Sequence, residues 1–155
     1  MLGISDRANN LGESVTIKMA RIAGELKEQG KDIISLSLGE PDFNVPEIVK
    51  NAAKKAIDDN HSHYTPVPGY KDLLKAIQAK FKRDNDLNYD LDQIVVSTGA
   101  KHSLMNVLLS TVNPGDEVIL PAPYWVSYIE MAKFCEGTPV VINTSIETDF
   151  KITPD

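Results

Sequence analysis

The 155-residue chain has one cysteine, one tryptophan and three histidines, and each scarcity removes a class of chemistry. Cys135 alone cannot build an intrachain disulfide framework or a cysteine metal cluster. His61, His63 and His102 form no HExxH motif and no His/Cys pairing, so no metal site is expected. Basic charge is in short supply: 16 Lys and Arg against 22 Asp and Glu leave a net charge of −6, which offers nucleic acid no bulk attraction. No apolar run approaches the length of a membrane span, and the N-terminus lacks the basic-then-apolar layout of a signal peptide. These absences lead to the expectation of a cytoplasmic location. GxGxxG, the full P-loop and GxSxG are missing too.

One local shortage says more than these global ones. The run from Lys101 to Val112 contains no acid. It follows an apolar segment, Ile94-Val95-Val96, and a single glycine, Gly99, and it continues through Leu104, Met105, Val107, Leu108 and Leu109. The pattern predicts a buried strand, a tight turn at Gly99 and a helix starting near Ala100 or Lys101. Helix N-termini carry partial positive charge and normally attract acids. Here Lys101 and His102 occupy that end. Two readings stand: a site for an anion such as phosphate, or an ordinary strand-to-helix turn with a solvated lysine.

The rest of the chain is ordinary in composition, 42% hydrophobic and 25% charged, and long enough for one domain with a core. Residues 1–13 are polar and without period, as in an N-terminal arm. Ser14 is placed to cap a helix carrying Val15, Met19, Ile22, Ala23 and Leu26 on one side and stopping at Gly30. Ile34, Leu36 and Leu38 alternate with polar residues, which predicts a short, half-exposed strand. Asn44 and Pro46 predict the start of a second helix with an apolar face that includes Ile48, Val49 and Ile57. Residues 60–69 hold two prolines and a glycine and read as a long irregular loop. Leu73, Leu74, Ile77 and Phe81 predict a third helix, ended by Asp84-Asn85-Asp86.

From Asp92 onward the pattern becomes strand–helix alternation. After the strand and helix around Gly99 come a strand at Glu117–Leu120, a break at Pro121-Ala122-Pro123, a helix from about Tyr124 to Glu136 with Gly137 as its stop, and a strand at Val140–Ile142. Such alternation predicts an α/β fold with a mostly parallel sheet and helices on its faces. Thr153-Pro154-Asp155 has the composition of a helix start, and three strands make a narrow sheet, so the chain is expected to be the N-terminal portion of a longer protein.

Four segments occur in one order: Ser35-Leu36-Ser37-Leu38-Gly39-Glu40-Pro41-Asp42-Phe43, Tyr64-Thr65-Pro66-Val67-Pro68-Gly69-Tyr70, Ser97-Thr98-Gly99-Ala100-Lys101, and Pro121-Ala122-Pro123-Tyr124-Trp125-Val126-Ser127-Tyr128. The set resembles the N-terminal part of a class I/II pyridoxal-phosphate aminotransferase of fold type I, nearest the bacterial aspartate aminotransferases. The resemblance implies pyridoxal 5'-phosphate as cofactor and amino transfer from an amino acid, aspartate foremost, to a 2-oxoacid in a homodimer. It implies that Gly99, Ala100 and Lys101 hold the cofactor phosphate. Trp125 would stack on the cofactor ring and line the substrate pocket, though it is equally readable as a core tryptophan. Gly39 would touch the substrate carboxylate through its backbone, or simply serve a turn. Tyr64 would reach the neighbouring subunit's cofactor phosphate, or pack within its loop. The Ala122–Pro123 bond would be cis. No catalytic residue is implied in this stretch: the Schiff-base lysine and the arginine for the α-carboxylate come later in the family. Residues 1–45 would form the arm and start of a small domain, and 46–155 the first part of the large cofactor-binding domain. Relatives with other activities of the same fold, such as aromatic or prephenate aminotransferases and carbon–sulfur lyases, and non-catalytic binding domains remain alternatives.

Overall fold

The computed structural model describes residues 3–154. They form six α-helices and two strands: α1 (Asp6–Asn9), α2 (Val15–Glu28), α3 (Glu47–Asp58), α4 (Lys71–Asn85), α5 (Ala100–Thr111), β1 (Glu117–Ala122), α6 (Ser127–Phe134) and β2 (Thr138–Asn143). Two compact units result, one made of residues 1–40 with 101–155 and the other of residues 41–100.

Helix ends follow from local chemistry. After α2 the chain turns left-handed at Gly30 (φ 78°), where the Gly30 N–H reaches the Lys27 carbonyl at 2.9 Å and the Lys31 N–H reaches Leu26 at 3.1 Å. This is the Schellman arrangement, and it needs a residue that tolerates positive φ. Asn60 (φ 61°) plays the same part after α3. After α6 the left-handed residue is Glu136 (φ 63°), not the expected Gly137. Gly137 is required for a different reason: a Cβ there would lie 2.8 Å from Val112 Cγ1 and 3.2 Å from Val118 Cγ2. Helix starts were less regular than expected. Ser14 occupies the cap position of α2, but its hydroxyl bonds to that of Thr16 and caps nothing. Pro46, not Asn44, immediately precedes α3. The arm contains α1, whose cap is the Ser5 side chain accepting from the Ala8 N–H.

In the first unit β1 and β2 pair in parallel, with Glu117 opposite Thr138 and Ala122 opposite Asn143, and α6 lies between them in sequence and packs on both. This is the α/β unit expected from the strand–helix alternation. Pro121 belongs to β1 instead of breaking it; in a two-stranded pair every strand is an edge, where proline is tolerated. The core of this unit gathers Leu120, Met131, Ala132 and Cys135, and burial pushes the Cys135 thiol above its usual pKa. Two expected strands are not formed. Residues 33–36 are irregular, with Ile34 86% and Leu36 92% exposed. Ile94 has extended backbone, but Ile94–Val96 has no ladder partner among the described residues. An apolar run fixes strand propensity, while a strand exists only where a second backbone supplies its hydrogen bonds.

In the second unit α4 buries Leu74, and Ile94 is buried just beyond a 3-10 turn at Leu91–Gln93. The Val96 N–H donates to the Pro68 carbonyl at 2.9 Å, which fastens the 60–69 loop to the extended segment. Gly69 (φ 115°) permits this approach, since a Cβ there would lie 2.8 Å from Val96 Cγ2. Of the expected helix start at the C-terminus, Thr153 and Pro154 are not helical and Asp155 lies outside the described residues.

Candidate functional site

The turn anticipated at Gly99 is present. Gly99 has φ 81°, a conformation that favours glycine, and a Cβ there would meet no described atom within 4 Å. Its N–H donates to the Ser97 carbonyl at 2.9 Å. Ala100 is the first residue of α5, and the first N–H groups of a helix have no carbonyl partner within it. No acid stands in the first turn of α5. Gly99 and Ala100 close the second unit in sequence, and Lys101 opens the long segment of the first.

Within the first unit the structure brings Lys101 and Trp125 together. The Lys101 ammonium lies 4.4 Å from the centroid of the Trp125 ring, within cation–π range. The Tyr128 ring meets the same indole edge to face, at 5.6 Å and 83°. Trp125 is 44% exposed, so it is not a core tryptophan. It sits in the short connection between β1 and α6, separated by Tyr124 from Pro123, and the Ala122–Pro123 bond is cis as anticipated. The Trp125 carbonyl accepts the Tyr128 N–H at 3.0 Å and so holds the first turn of α6.

Lys101 also lines a cavity of about 530 Å³ in the first unit. One wall is α6 with the residues before it, including Tyr124 and Phe134; the other is the arm from Leu11 to Val15. Among the described lining residues Lys101 is the one cation, while Met105, Ile129 and Met131 make the surface largely apolar. Glu130 in this wall has its carboxylate held below the usual glutamate range, first by the Gly12 N–H and then by Lys133.

Gly39 shares this unit, but its backbone is not left-handed and a Cβ there would meet nothing within 4 Å, so its own surroundings place no demand for glycine. Tyr64 belongs to the second unit and is fully exposed on its loop. The role of the arm was not legible in the sequence. Gly12 and Glu130 stand 118 residues apart, and nothing in a polar, aperiodic arm announces a contact with α6. Among the described residues no cluster of His, Cys, Asp or Glu is arranged to hold a metal ion, and no helix is long and apolar enough to cross a membrane.

The family model for aminotransferase class I and II matches residues 31–155. The chain belongs to this family. Among the relatives of this aminotransferase chain, the probable aspartate/prephenate aminotransferase of Rickettsia bellii is 51% identical over 97% of the chain and 38% of its own length. The aspartate/prephenate aminotransferase of Cereibacter sphaeroides is 48% identical over the whole chain and 39% of its own length. The solved aspartate aminotransferase of Thermus thermophilus with maleate superposes with a TM-score of 0.94 at 40% identity, over 99% of this chain and 40% of that one. The enzyme of Rhizobium meliloti gives 0.93 at 43% identity, over 99% and 38%. The chain thus spans about two fifths of the length of these relatives.

Aminotransferases of this family depend on pyridoxal phosphate. The residues of this chain fit such a group. A left-handed glycine leads into an acid-free helix start, as a phosphate requires. The partly exposed indole of Trp125 provides a flat apolar face, as an aromatic ring requires.

Proposed function

We propose that this chain is the N-terminal portion of an aminotransferase that moves an amino group from a dicarboxylic amino acid, aspartate foremost, to a 2-oxoacid. The observation that carries the reading is the open, left-handed turn at Gly99 running into the acid-free start of α5. In this reading the backbone N–H groups of Ala100 and Lys101 donate to the cofactor phosphate, and Gly99 keeps the approach free of a side chain. Trp125 offers its ring face to the cofactor ring. Gly39 meets the substrate carboxylate through its backbone, and Tyr64 serves the cofactor of a second subunit in a homodimer. When bound, pyridoxal phosphate supplies the electron sink for the chemistry, and the protein supplies position and surroundings.

The side chain of Lys101 takes a second part. It lies over Trp125 and brings the one described cation to a largely apolar cavity. Aspartate and prephenate, after which several relatives are named, both carry a carboxylate away from the reacting carbon. An ammonium is suited to that group by its charge, and it shares the lining with the carboxylates of Glu13 and Glu130. The described residues therefore bind, orient and exclude water. The covalent work belongs to residues that this chain does not contain. Residues 1–45 are assigned to the arm and small domain, 46–155 to the large domain, and the enzyme to the cytoplasm.

The test is a titration of pyridoxal phosphate into the full-length protein and its Gly99→Val variant. The expected result is a dissociation constant raised by about tenfold or more, equivalent to about 1.4 kcal/mol, with a smaller change in unfolding free energy. Equal titration of the two proteins would overturn the assignment.

A further inference from the structure

The N-terminal arm is attached to α6 by a small set of contacts that converge on two glutamates. The Gly12 N–H donates to Glu130 Oε2 at 2.8 Å, and the Lys133 ammonium donates to Glu130 Oε1 at 3.0 Å. Nearer the start of the arm, the Arg7 guanidinium reaches Glu136 Oε1 at 3.5 Å and lies 5.9 Å from the Phe134 ring centroid. The Arg7 and Glu136 side chains are each nearly half exposed, so that pair is worth little. The Glu130 side chain is 27% exposed, the most sheltered of these charged groups. The same arm, from Leu11 to Val15, forms one wall of the cavity that Lys101 lines.

We propose that Glu130 is a positioning residue: by accepting the Gly12 N–H it fixes the arm as one wall of the substrate cavity. The proposal rests on the function assigned above, since that function makes the cavity a substrate site. Its two oxygens divide the work. Oε1 belongs to an ordinary i,i+3 pair along α6, which stabilises a helix only slightly. Oε2 joins segments 118 residues apart through a charge-assisted hydrogen bond, the stronger kind. The donor is backbone, so the tie does not depend on the side chain at position 12. A Cβ there would sit 3.5 Å from the carboxylate, in ordinary contact. The arm lines the same cavity as Lys101, Met105 and Ile129. Glu130 thus governs how well the substrate is held through the placement of the arm.

Four variants of the full-length protein test this. Glu130→Ala removes the acceptor, Glu130→Gln keeps an acceptor oxygen without charge, Gly12→Pro removes the donor and also fixes φ at that position, and Lys133→Ala breaks only the helix pair. Two readouts are taken: the rate of tryptic cleavage after Arg7, and KM and kcat for amino transfer from aspartate to 2-oxoglutarate. Loss of one charge-assisted bond in Glu130→Ala and in Gly12→Pro should speed cleavage and raise KM about tenfold, with kcat within about twofold. Glu130→Gln should recover most of both effects, and Lys133→Ala should show neither. Unchanged cleavage in Gly12→Pro and Glu130→Ala, or the same effects in Lys133→Ala, would overturn the proposal. Should Glu130→Ala not fold, Gly12→Pro decides alone. A wild-type protein without amino transfer would sink the function reading instead, and the cleavage rates would still decide what holds the arm.

Discussion

Glu130 shows how one carboxylate can link acidity to architecture. Its pKa is depressed because the charged form accepts the Gly12 N–H and, secondly, pairs with Lys133. A depressed carboxylate contributes stability that is complete above its unfolded-state pKa, about 4.3 for a glutamate, and is lost as pH falls through the folded value. The urea midpoint of wild type should therefore exceed that of Glu130→Gln at neutral pH. The gap should narrow as pH drops below the ordinary glutamate range and then close. A gap independent of pH would show that charge has no part in the contact. At this scale the sequence was partly legible. Trp125 could be singled out because it is the one tryptophan, and Gly99 because an acid-free helix start follows it. Glu130 could not, because a Glu three residues before a Lys on a helix is commonplace, and its important partner is a backbone group far away in sequence.

Among the elements, helices were read well and strands poorly, and the reason is physical. A helix satisfies its hydrogen bonds internally, so apolar periodicity and a stop residue locate it: α2 ends at Glu28, two residues before the left-handed Gly30, and α4 just before Asp86. Helix starts depend on which side chain wins a few local donors, and Ser14 loses. Strands depend on partners. Val118–Leu120 and Val140–Ile142 find each other, while Ile94–Val96, with an equally apolar sequence, does not. What that segment does have is the loop bond from the Val96 N–H to Pro68, guarded by Gly69. Gly69→Ala meets both a strained φ and a contact of 2.8 Å. It should cost about 1–3 kcal/mol and raise the hydrogen-exchange rate of the Val96 amide selectively. A variant whose Val96 amide stays as protected as wild type would show that the loop is held by something else.

Taken whole, the molecule leaves much apolar surface uncovered. Ile34, Leu36, Val95 and Ile119 are between 59% and 92% exposed. Residues 1–155 expressed alone should therefore associate, visible as light scattering that grows with concentration. They should also transfer no amino group from aspartate to 2-oxoglutarate above the free-cofactor background, since no residue here matches the lysine that the reaction needs. Turnover by the purified fragment would mean that a residue in this chain does that lysine's work. The tie between Gly12 and Glu130 carries one more consequence, in time instead of space. On the ribosome the arm is made first, yet its anchor on α6 follows 118 residues later. At about 5–20 residues per second that is a wait of roughly 6–24 s. Through that interval the polar, aperiodic composition of the arm is an asset: a segment with little apolar surface can stand unattached in the cell without drawing wrong partners, and docks when its glutamate arrives.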